Sequence, residues 1–544
     1  MNGILKSQNP VDSSTTSIIK SLPYNGGINK KESQYFGRGA LTMYSDSTMT
    51  SEDEILVNDE LELHMACKKG DFECVQALIR SNIDINCRNV SDRTPLHWAS
   101  SKGHVAICKL LLDEGATIDL SDKFGMDALL WASWFGQKNC VQLLLKLGVK
   151  AKTRNKQGYS LLHCATHNNH ISVLEIVNEE LQGYDLNVDD NNGFTCIHVS
   201  CKRKHYRALD WLLQHGFDPS IKDSEGNTAV HICAKNGFYK GVELLKKYGC
   251  NVEQTNNAKL FPLHIAVKLE QAKTCEALIL SGADVNMEDY QENSPIHMCV
   301  TNKKESTIKM LIKYQADLDL SNKHNQTALH LAVQRKNQII AVVLVENGAN
   351  ISIQDSWGET AMHLAAENGL ANMSELLLRA EPNLNVRDNK GNTALDVAAR
   401  GDFVTIVDMI IKAERLLGIN NNETDLSQVT FLPDRSSDTE HFRSLLFHVA
   451  TKELKQIEWK RLAYQWAFTD QQLAAIEEQY TSSKSYKEHG HRMLLIWLHG
   501  CKNTNTSALK SMYAGLCSIG RQDVAENFRR KANKKDEKSS CVIF

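Results

Sequence analysis

The chain has little of what marks several common protein classes. Its net charge is only −3, it holds 8 prolines in 544 residues, and none of its 15 cysteines forms a C-x-x-C pair. No run approaches the roughly 20 apolar residues of a membrane-spanning helix, and no secretory signal pattern is present. The charge argues against a nucleic-acid binder. The scattered cysteines indicate buried free thiols in a reducing, cytoplasmic compartment.

The motifs of common catalytic sites are absent as well. The sequence contains no G-x-S-x-G, H-E-x-x-H, G-x-x-x-x-G-K-[ST] or G-x-G-x-x-G. His489 and His491 are two residues apart and therefore do not share one face of a helix. We expect no catalytic, metal or cofactor site and no small-molecule substrate. A cysteine–histidine enzyme is the weaker alternative.

What the sequence does have is a repeat of 33 residues. One copy is marked by Thr94-Pro95-Leu96-His97, and the histidine position recurs with a single longer step of 35 residues between His163 and His198. The same position is filled by His64, Leu130, His231, His264, His297, His330, His363 and Asp396. These positions define eleven units over about residues 59–414.

This period and motif resemble the ankyrin repeat. A loop of the form Asp-x-x-Gly, such as Asp223–Gly226, precedes the motif, and Gly-Ala follows the second helix, as at Gly115-Ala116. The resemblance implies an all-α solenoid in which each unit buries its apolar face against its neighbours. It also implies that the motif histidines hydrogen-bond within the loop and to the next unit. One histidine per unit does not converge on one metal ion.

The ankyrin resemblance implies a protein-binding face formed by loop tips and first helices. Large aromatic residues replace the usual polar ones there, which predicts a partner-binding surface. These residues are Phe124, Trp134, Phe135, Tyr159 and Phe194. Packing between repeats is the alternative, and we expect it for Trp131.

The ankyrin resemblance also suggests a covalent modification. Ankyrin repeats are substrates of an asparaginyl hydroxylase that prefers Leu-x5-Asp-(Val/Ile)-Asn, and this pattern ends at Asn86 and at Asn286. The same residues are common consensus turn residues, which is the favoured interpretation.

A second helical pattern follows a polar, turn-rich stretch over 415–437 that is typical of a linker. It covers about 438–531 and contains Glu458-Trp459-Lys460-Arg461-Leu462-Ala463 and Ile519-Gly520-Arg521-Gln522-Asp523-Val524-Ala525. This region resembles a death domain, and the whole chain resembles the ankyrin repeat and death domain-containing protein family. The resemblance implies a six-helix bundle that assembles with other death domains. The candidate contact residues are Lys460, Arg461, Asp470, Glu477 and Glu478, with a merely solvated face as the alternative.

The two ends of the sequence carry different signals. Residues 1–58 are rich in Ser, Thr, Asn and Gly and are expected to be disordered. Residues 532–544 are basic and finish with Cys541-Val542-Ile543-Phe544, which fits a prenylation box with geranylgeranyl favoured. Basic residues supply the second signal that a single lipid chain needs. We expect a tether through Cys541 at the cytoplasmic face of a membrane, with coincidence as the alternative.

Together these features predict a non-enzymatic intracellular adaptor in signal transduction. It would bind one protein through the ankyrin face and another, such as a death-domain protein, through the C-terminal module. A cytoskeletal linker of ankyrin type is the alternative.

Overall fold

The computed structural model describes residues 57–181, 185–302, 305–419, 426–479, 485–504 and 506–533. All regular elements within these ranges are helices. The expectations for residues 1–56, for the tail from 534 and for Cys541 lie outside the described residues.

Helices α1 to α22 follow the repeat, with one pair of helices in each of the eleven units that the described residues contain. Their bounds are α1 Asn58–Lys69, α2 Phe72–Arg80, α3 Pro95–Lys102, α4 Val105–Asp113, α5 Ala128–Trp134, α6 Lys138–Lys146, α7 Leu161–His167, α8 Ile171–Glu180, α9 Cys196–Arg203, α10 Tyr206–Gln214, α11 Ala229–Asn236, α12 Tyr239–Lys247, α13 Pro262–Lys268, α14 Ala272–Leu280, α15 Pro295–Thr301, α16 Glu305–Lys313, α17 Ala328–Gln334, α18 Gln338–Glu346, α19 Ala361–Glu367, α20 Ala371–Arg379, α21 Ala394–Arg400 and α22 Val404–Ile419.

Stacking of the pairs stabilises these helices. Most have only 7 to 10 residues, which is too short for an isolated helix to persist in water. Each first helix packs against the first helix of the next unit, as α3 does on α5. Leucines such as Leu111, Leu144 and Leu278 are fully buried between units. The predicted ankyrin-repeat solenoid is confirmed.

The loops between units form a second stack. In each loop a side chain such as Asp122 accepts backbone hydrogen bonds from Phe124 and Met126, both at 2.8 Å. The loops then join one another, because the Lys156 N–H donates to the Phe124 carbonyl at 3.0 Å. The last described bond of this kind joins the Asn389 N–H to the Trp357 carbonyl at 3.0 Å. The loop ladder therefore reaches the eleventh unit.

The C-terminal module is a bundle of six helices, which confirms the second predicted fold. Their bounds are α23 Ser437–His448, continued by a π-helical turn over Val449–Glu453, α24 Glu458–Gln465, α25 Asp470–Glu478, α26 Tyr486–Asn503, α27 Ala508–Ser518 and α28 Gln522–Asn533. Trp459, Leu462 and Ile476 are buried in its core. Trp466 and Trp497 stack with their ring centroids 4.3 Å apart.

The polar stretch predicted as a linker differs from expectation. Helix α22 runs on to Ile419, and we name residues 426–436 the connecting segment. Its Leu426 and Phe431 are fully buried. The Phe431 carbonyl accepts a hydrogen bond from Lys412 Nζ at 2.9 Å, and the Val429 carbonyl accepts one from Arg379 Nε at 3.0 Å. These hydrogen bonds, together with the buried apolar residues, thus anchor the segment to α20 and α22.

Candidate protein-interaction surfaces

The motif histidines hold one unit to the next. The Thr94 N–H donates to His97 Nδ1 at 3.0 Å, and His97 Nε2–H donates to the Met126 carbonyl of the next unit at 3.0 Å. The same link to the next unit recurs from His163 to the Phe194 carbonyl at 2.7 Å. Both ring nitrogens are used in a neutral ring, as the ankyrin resemblance implies.

Burial lowers the pKa of these histidines. The pKa of His97 and that of His231 fall to about 4, because the ring is buried away from water. Burial is also the main cause of a lowered pKa at His163, His198, His264, His297, His330 and His363. These side chains stay neutral at physiological pH and serve the fold.

The predicted aromatic residues are all half-buried. Trp134 stacks on His167 with ring centroids 4.4 Å apart, and Tyr159 lies 6.0 Å from the same imidazole. Phe135 stacks at 5.4 Å on Trp131, which is buried as expected. Packing within the array therefore involves these rings, and their use by a partner stays a prediction.

The remaining two predicted aromatics lie on either side of this group. Phe124 is half-buried in the loop that precedes α5. Phe194 lies 5.8 Å from His198, and Lys202 Nζ lies 5.0 Å over the Phe194 ring. We name Trp134, Tyr159, His167 and Phe194 the aromatic patch.

Sequence reasoning missed His167 and the positions equivalent to it. Each position four residues after the motif slot lies one turn along the first helix. Trp134, His167, Lys202, Lys235 and Lys268 occupy it in five consecutive units. Because the first helices α5, α7, α9, α11 and α13 pack side by side, these side chains form one row. Aligning the repeats of this chain by their motif position would have revealed this row from the sequence.

This row changes from aromatic to basic along the array. Lys235 and Lys268 are exposed, while Lys202 is half-buried. Arg203 contacts His167. Burial, with Arg203 as the next cause, lowers the pKa of His167 to about 3. The next two units carry Thr301 and Gln334 in the same position. We name Lys202, Lys235 and Lys268 the basic row.

The two asparagines of the hydroxylation pattern both join neighbouring units. Asn86 Oδ1 accepts from the Thr117 N–H at 2.8 Å, and Asn286 Oδ1 accepts from the Asp317 N–H at 2.9 Å. Both residues are half-buried. This contact gives them a role in stacking, and their hydroxylation stays a prediction.

The charged residues predicted for the death domain lie mostly on one surface of α24 and α25. Lys460 Nζ pairs with Glu477 Oε1 at 2.6 Å. Asp470 Oδ1 accepts from the Tyr464 hydroxyl at 2.7 Å. Arg461 and Glu478 are exposed. Their use by a partner stays a prediction.

Sequence reasoning also missed a contact between the array and the bundle. Arg492 on α26 forms an ion pair with Asp408 on α22, at 2.7 Å between Nη2 and Oδ1. Burial raises the pKa of the Asp408 carboxyl, although Arg492 acts in the opposite direction. Gln472 Nε2 donates to Glu414 Oε2 at 2.9 Å. These two contacts join residues that are 84 and 58 positions apart in the sequence.

Further contacts extend this interface. Arg415 donates to the Trp466 carbonyl at 2.9 Å, and its guanidinium lies 3.8 Å from the centroid of the Phe468 ring. Gln471 Nε2 lies 3.0 Å from Thr393 Oγ1 and 3.1 Å from Asp396 Oδ1. The array thus contributes three carboxylates to this interface.

Within the described ranges, no helix combines the length and apolar character that crossing a bilayer requires. In the same ranges, no three His, Cys, Asp or Glu side chains gather where they could hold a metal ion.

Comparison with known families matches two models to separate parts of the chain. A model described as "Ankyrin repeats (3 copies)" matches residues 63–155, 118–180, 145–223, 162–256, 263–355 and 339–425. A model described as "Death domain" matches residues 449–532. Both are protein-interaction modules rather than enzyme families.

Solved structures of ankyrin-repeat domains resemble part of the chain. The human ASB11 ankyrin repeat domain is 26% identical, covering 41% of this chain and 98% of that domain, with a TM-score of 0.37. The ankyrin repeat domain of Bcl-3, described as a unique member of the IkappaB protein family, is 23% identical. It covers 38% of this chain and 95% of that domain, also with a TM-score of 0.37.

Proposed function

We propose, from the premise that the chain belongs to the ankyrin-repeat family and carries a death domain, that it is a non-enzymatic adaptor in signal transduction. One protein would bind the ankyrin face and a second, itself a death-domain protein, would bind the C-terminal bundle. The single observation that carries this proposal is the presence of both interaction modules in one chain.

The ankyrin partner is proposed to be an extended acidic segment that carries apolar residues. The aromatic patch offers half-exposed rings, which serve well as anchors at protein interfaces. The neighbouring basic row offers ammonium groups at the spacing of packed helices, roughly 10 Å. Carboxylates on the partner would complement this charge and steer its approach.

The death-domain partner is proposed to bind the surface that carries Lys460, Arg461, Asp470, Glu477 and Glu478. This surface of α24 and α25 carries charges of both signs, which suits pairing with another charged helical surface. Its charged pair Lys460–Glu477 is solvated enough to exchange partners at small cost.

We also propose that the protein is tethered to the cytoplasmic face of a membrane through Cys541. The sequence supports this, since a prenylation box follows a basic run and so combines a lipid with positive charge. The basic residues are Arg529, Arg530, Lys531, Lys534, Lys535 and Lys538. Cys541→Ser should move the protein from the membrane to the soluble fraction of a cell lysate, and identical fractionation would refute the tether.

Proximity labelling with charge-reversed full-length chains tests the adaptor. Lys235→Glu with Lys268→Glu should lose the partners of the ankyrin face. Lys240→Glu with Lys273→Glu makes the same change on the second helices of the same two units and should retain them. Arg461→Glu with Glu478→Lys should lose a different set, the death-domain partners. An unchanged set of labelled proteins in all variants would contradict the proposal.

A further inference from the structure

The death domain stands where a twelfth repeat would stand. In the inner units the motif histidine donates to a carbonyl of the next unit, as His363 does to the Asn392 carbonyl at 3.2 Å. The eleventh unit has Asp396 in this slot, an acceptor in place of a donor. Its carboxylate receives Gln471 Nε2 of the death domain, at 3.1 and 3.2 Å to its two oxygens.

The presence of Asp396 in place of histidine therefore matches a change in what this slot contacts, since its neighbour is the death domain and not another repeat. A histidine in this slot would direct a donor at Gln471, while the aspartate accepts from it. The Asp396 carboxylate also accepts from the Thr393 N–H at 2.9 Å and so closes the start of α21. One residue thus ends the repeat pattern and receives the death domain.

Most hydrogen bonds in this contact run from the death domain to the array, and Arg415, which donates to the Trp466 carbonyl, is the exception. The end of the array presents the carboxylates of Asp396, Asp408 and Glu414. The death domain presents donors, the amides of Gln471 and Gln472 and the guanidinium of Arg492.

Water satisfies polar groups of this kind when a contact opens, so these hydrogen bonds oppose separation only weakly. The connecting segment keeps the two modules close when they separate. His499 Nε2 on α26 donates to the Thr430 carbonyl at 2.9 Å, and Arg379 on α20 holds the Val429 carbonyl. A separated death domain therefore stays at a high effective concentration near the array.

We propose that the chain has a closed state, in which the end of the ankyrin array occupies the face of the death domain that carries Gln471, Gln472 and Arg492. This face becomes available to another protein only when the modules separate. A competing partner would present carboxylates on a helical surface, as α21 and α22 do. The inference rests on the proposed adaptor function, because it specifies when one of its surfaces is accessible.

The exposed charges on α24 and α25 are not part of this contact. Asp470 bonds to Tyr464, and Glu477 bonds to Lys460 on the outer side of the same helices. The closed state therefore covers one face of the death domain and leaves a second face open to solvent.

Hydrogen exchange on the full chain tests the closed state. Gln471→Glu places a carboxylate beside Asp396 and should speed amide exchange in α21 and α25 by about fivefold or more, because repulsion replaces a hydrogen bond. Gln522→Glu is the matched control, since Gln522 is exposed in the first turn of α28, away from the interface. It should leave exchange in α21 and α25 unchanged.

A compensating variant distinguishes opening of the contact from general unfolding of the protein. Asp396→Asn in the Gln471→Glu background returns a donor to the pair and should restore slow exchange. Equal exchange in the wild type and Gln471→Glu, or failure of the compensating change, would overturn the closed state. Neither result would change the expected loss of ankyrin partners in the basic-row variants. The closed state and the adaptor function can therefore fail separately.

Discussion

Arg492 donates two hydrogen bonds to a single oxygen of Asp408, from Nε at 3.0 Å and from Nη2 at 2.7 Å. The side chains are 7% and 21% exposed, respectively. This pair joins the death domain to the last helix of the ankyrin array and is largely withdrawn from water. Its surroundings therefore make it sensitive to the loss of either partner.

The first prediction concerns this pair. Arg492→Met should lower the free energy of unfolding by about 3 kcal/mol, because it leaves the Asp408 carboxylate buried without its partner. Combining it with Asp408→Leu should recover most of the loss, since an apolar pair of similar volume carries no such cost. Urea unfolding of the wild type, the two single variants and the double variant measures this. Additive losses in the double variant would contradict it.

The second prediction concerns the stability of the fold at acidic pH. The folded pKa of His97 and of His231 is about 4, whereas an unfolded histidine has a pKa near 6.5. Below about pH 6.5 the unfolded chain therefore binds more protons than the folded chain, and stability falls as the pH falls towards 4. The loss should be on the order of 1 kcal/mol for each such histidine between pH 7.5 and 5.5.

Urea unfolding at these two pH values measures the effect. His97→Asn should reduce the difference between them, because one titrating group is removed. The asparagine oxygen lies near the position of Nδ1 and retains an acceptor for the Thr94 N–H. A pH dependence that is the same in the variant and the wild type would show that these histidines do not carry the effect.

Parts of this molecule could be predicted from sequence because their determinants are local. The slot histidines and the Asp-x-x-Gly loops repeat at one spacing, and each satisfies hydrogen bonds within its own unit or the next. The bundle core around Trp459 follows helical periodicity in the same way.

The contact between the domains lacks such a local signal. Gln471 is one polar residue at the start of a helix, and its role is evident only from its position opposite Asp396. That position depends on how a rigid array and a separate bundle are oriented. The buried connecting segment was missed for a similar reason, because Leu426 and Phe431 find their apolar surroundings in helices from another part of the chain.

The third prediction concerns the aromatic patch. Trp134 covers the His167 ring, and burial is the main cause of its pKa of about 3. Trp134→Ala should therefore raise the pKa of His167 towards 6.5, as water reaches the ring. An NMR titration of the His167 ring protons measures this. Trp357→Ala removes a tryptophan that is 53% exposed in a later loop and should not shift that titration, while an unmoved pKa in Trp134→Ala would contradict the account.

The fourth prediction separates loop stacking from backbone strain. Gly158 and Gly391 occupy the same position of two loops and share φ +84°, so alanine at either costs about 1 kcal/mol from the left-handed conformation. A Cβ at position 158 would lie 2.6 Å from the Asn191 backbone nitrogen, whereas one at position 391 meets nothing within 4 Å.

Gly158→Ala should therefore destabilise the array by a further 1–3 kcal/mol or so, the usual cost of overpacking, while Gly391→Ala shows only the first cost. Thermal and urea unfolding of the two variants make the comparison. Equal losses would mean that the loops do not press on one another. The predicted difference instead follows from position alone, because the next loop of the ladder stands against Gly158 and none stands against Gly391 among the described residues.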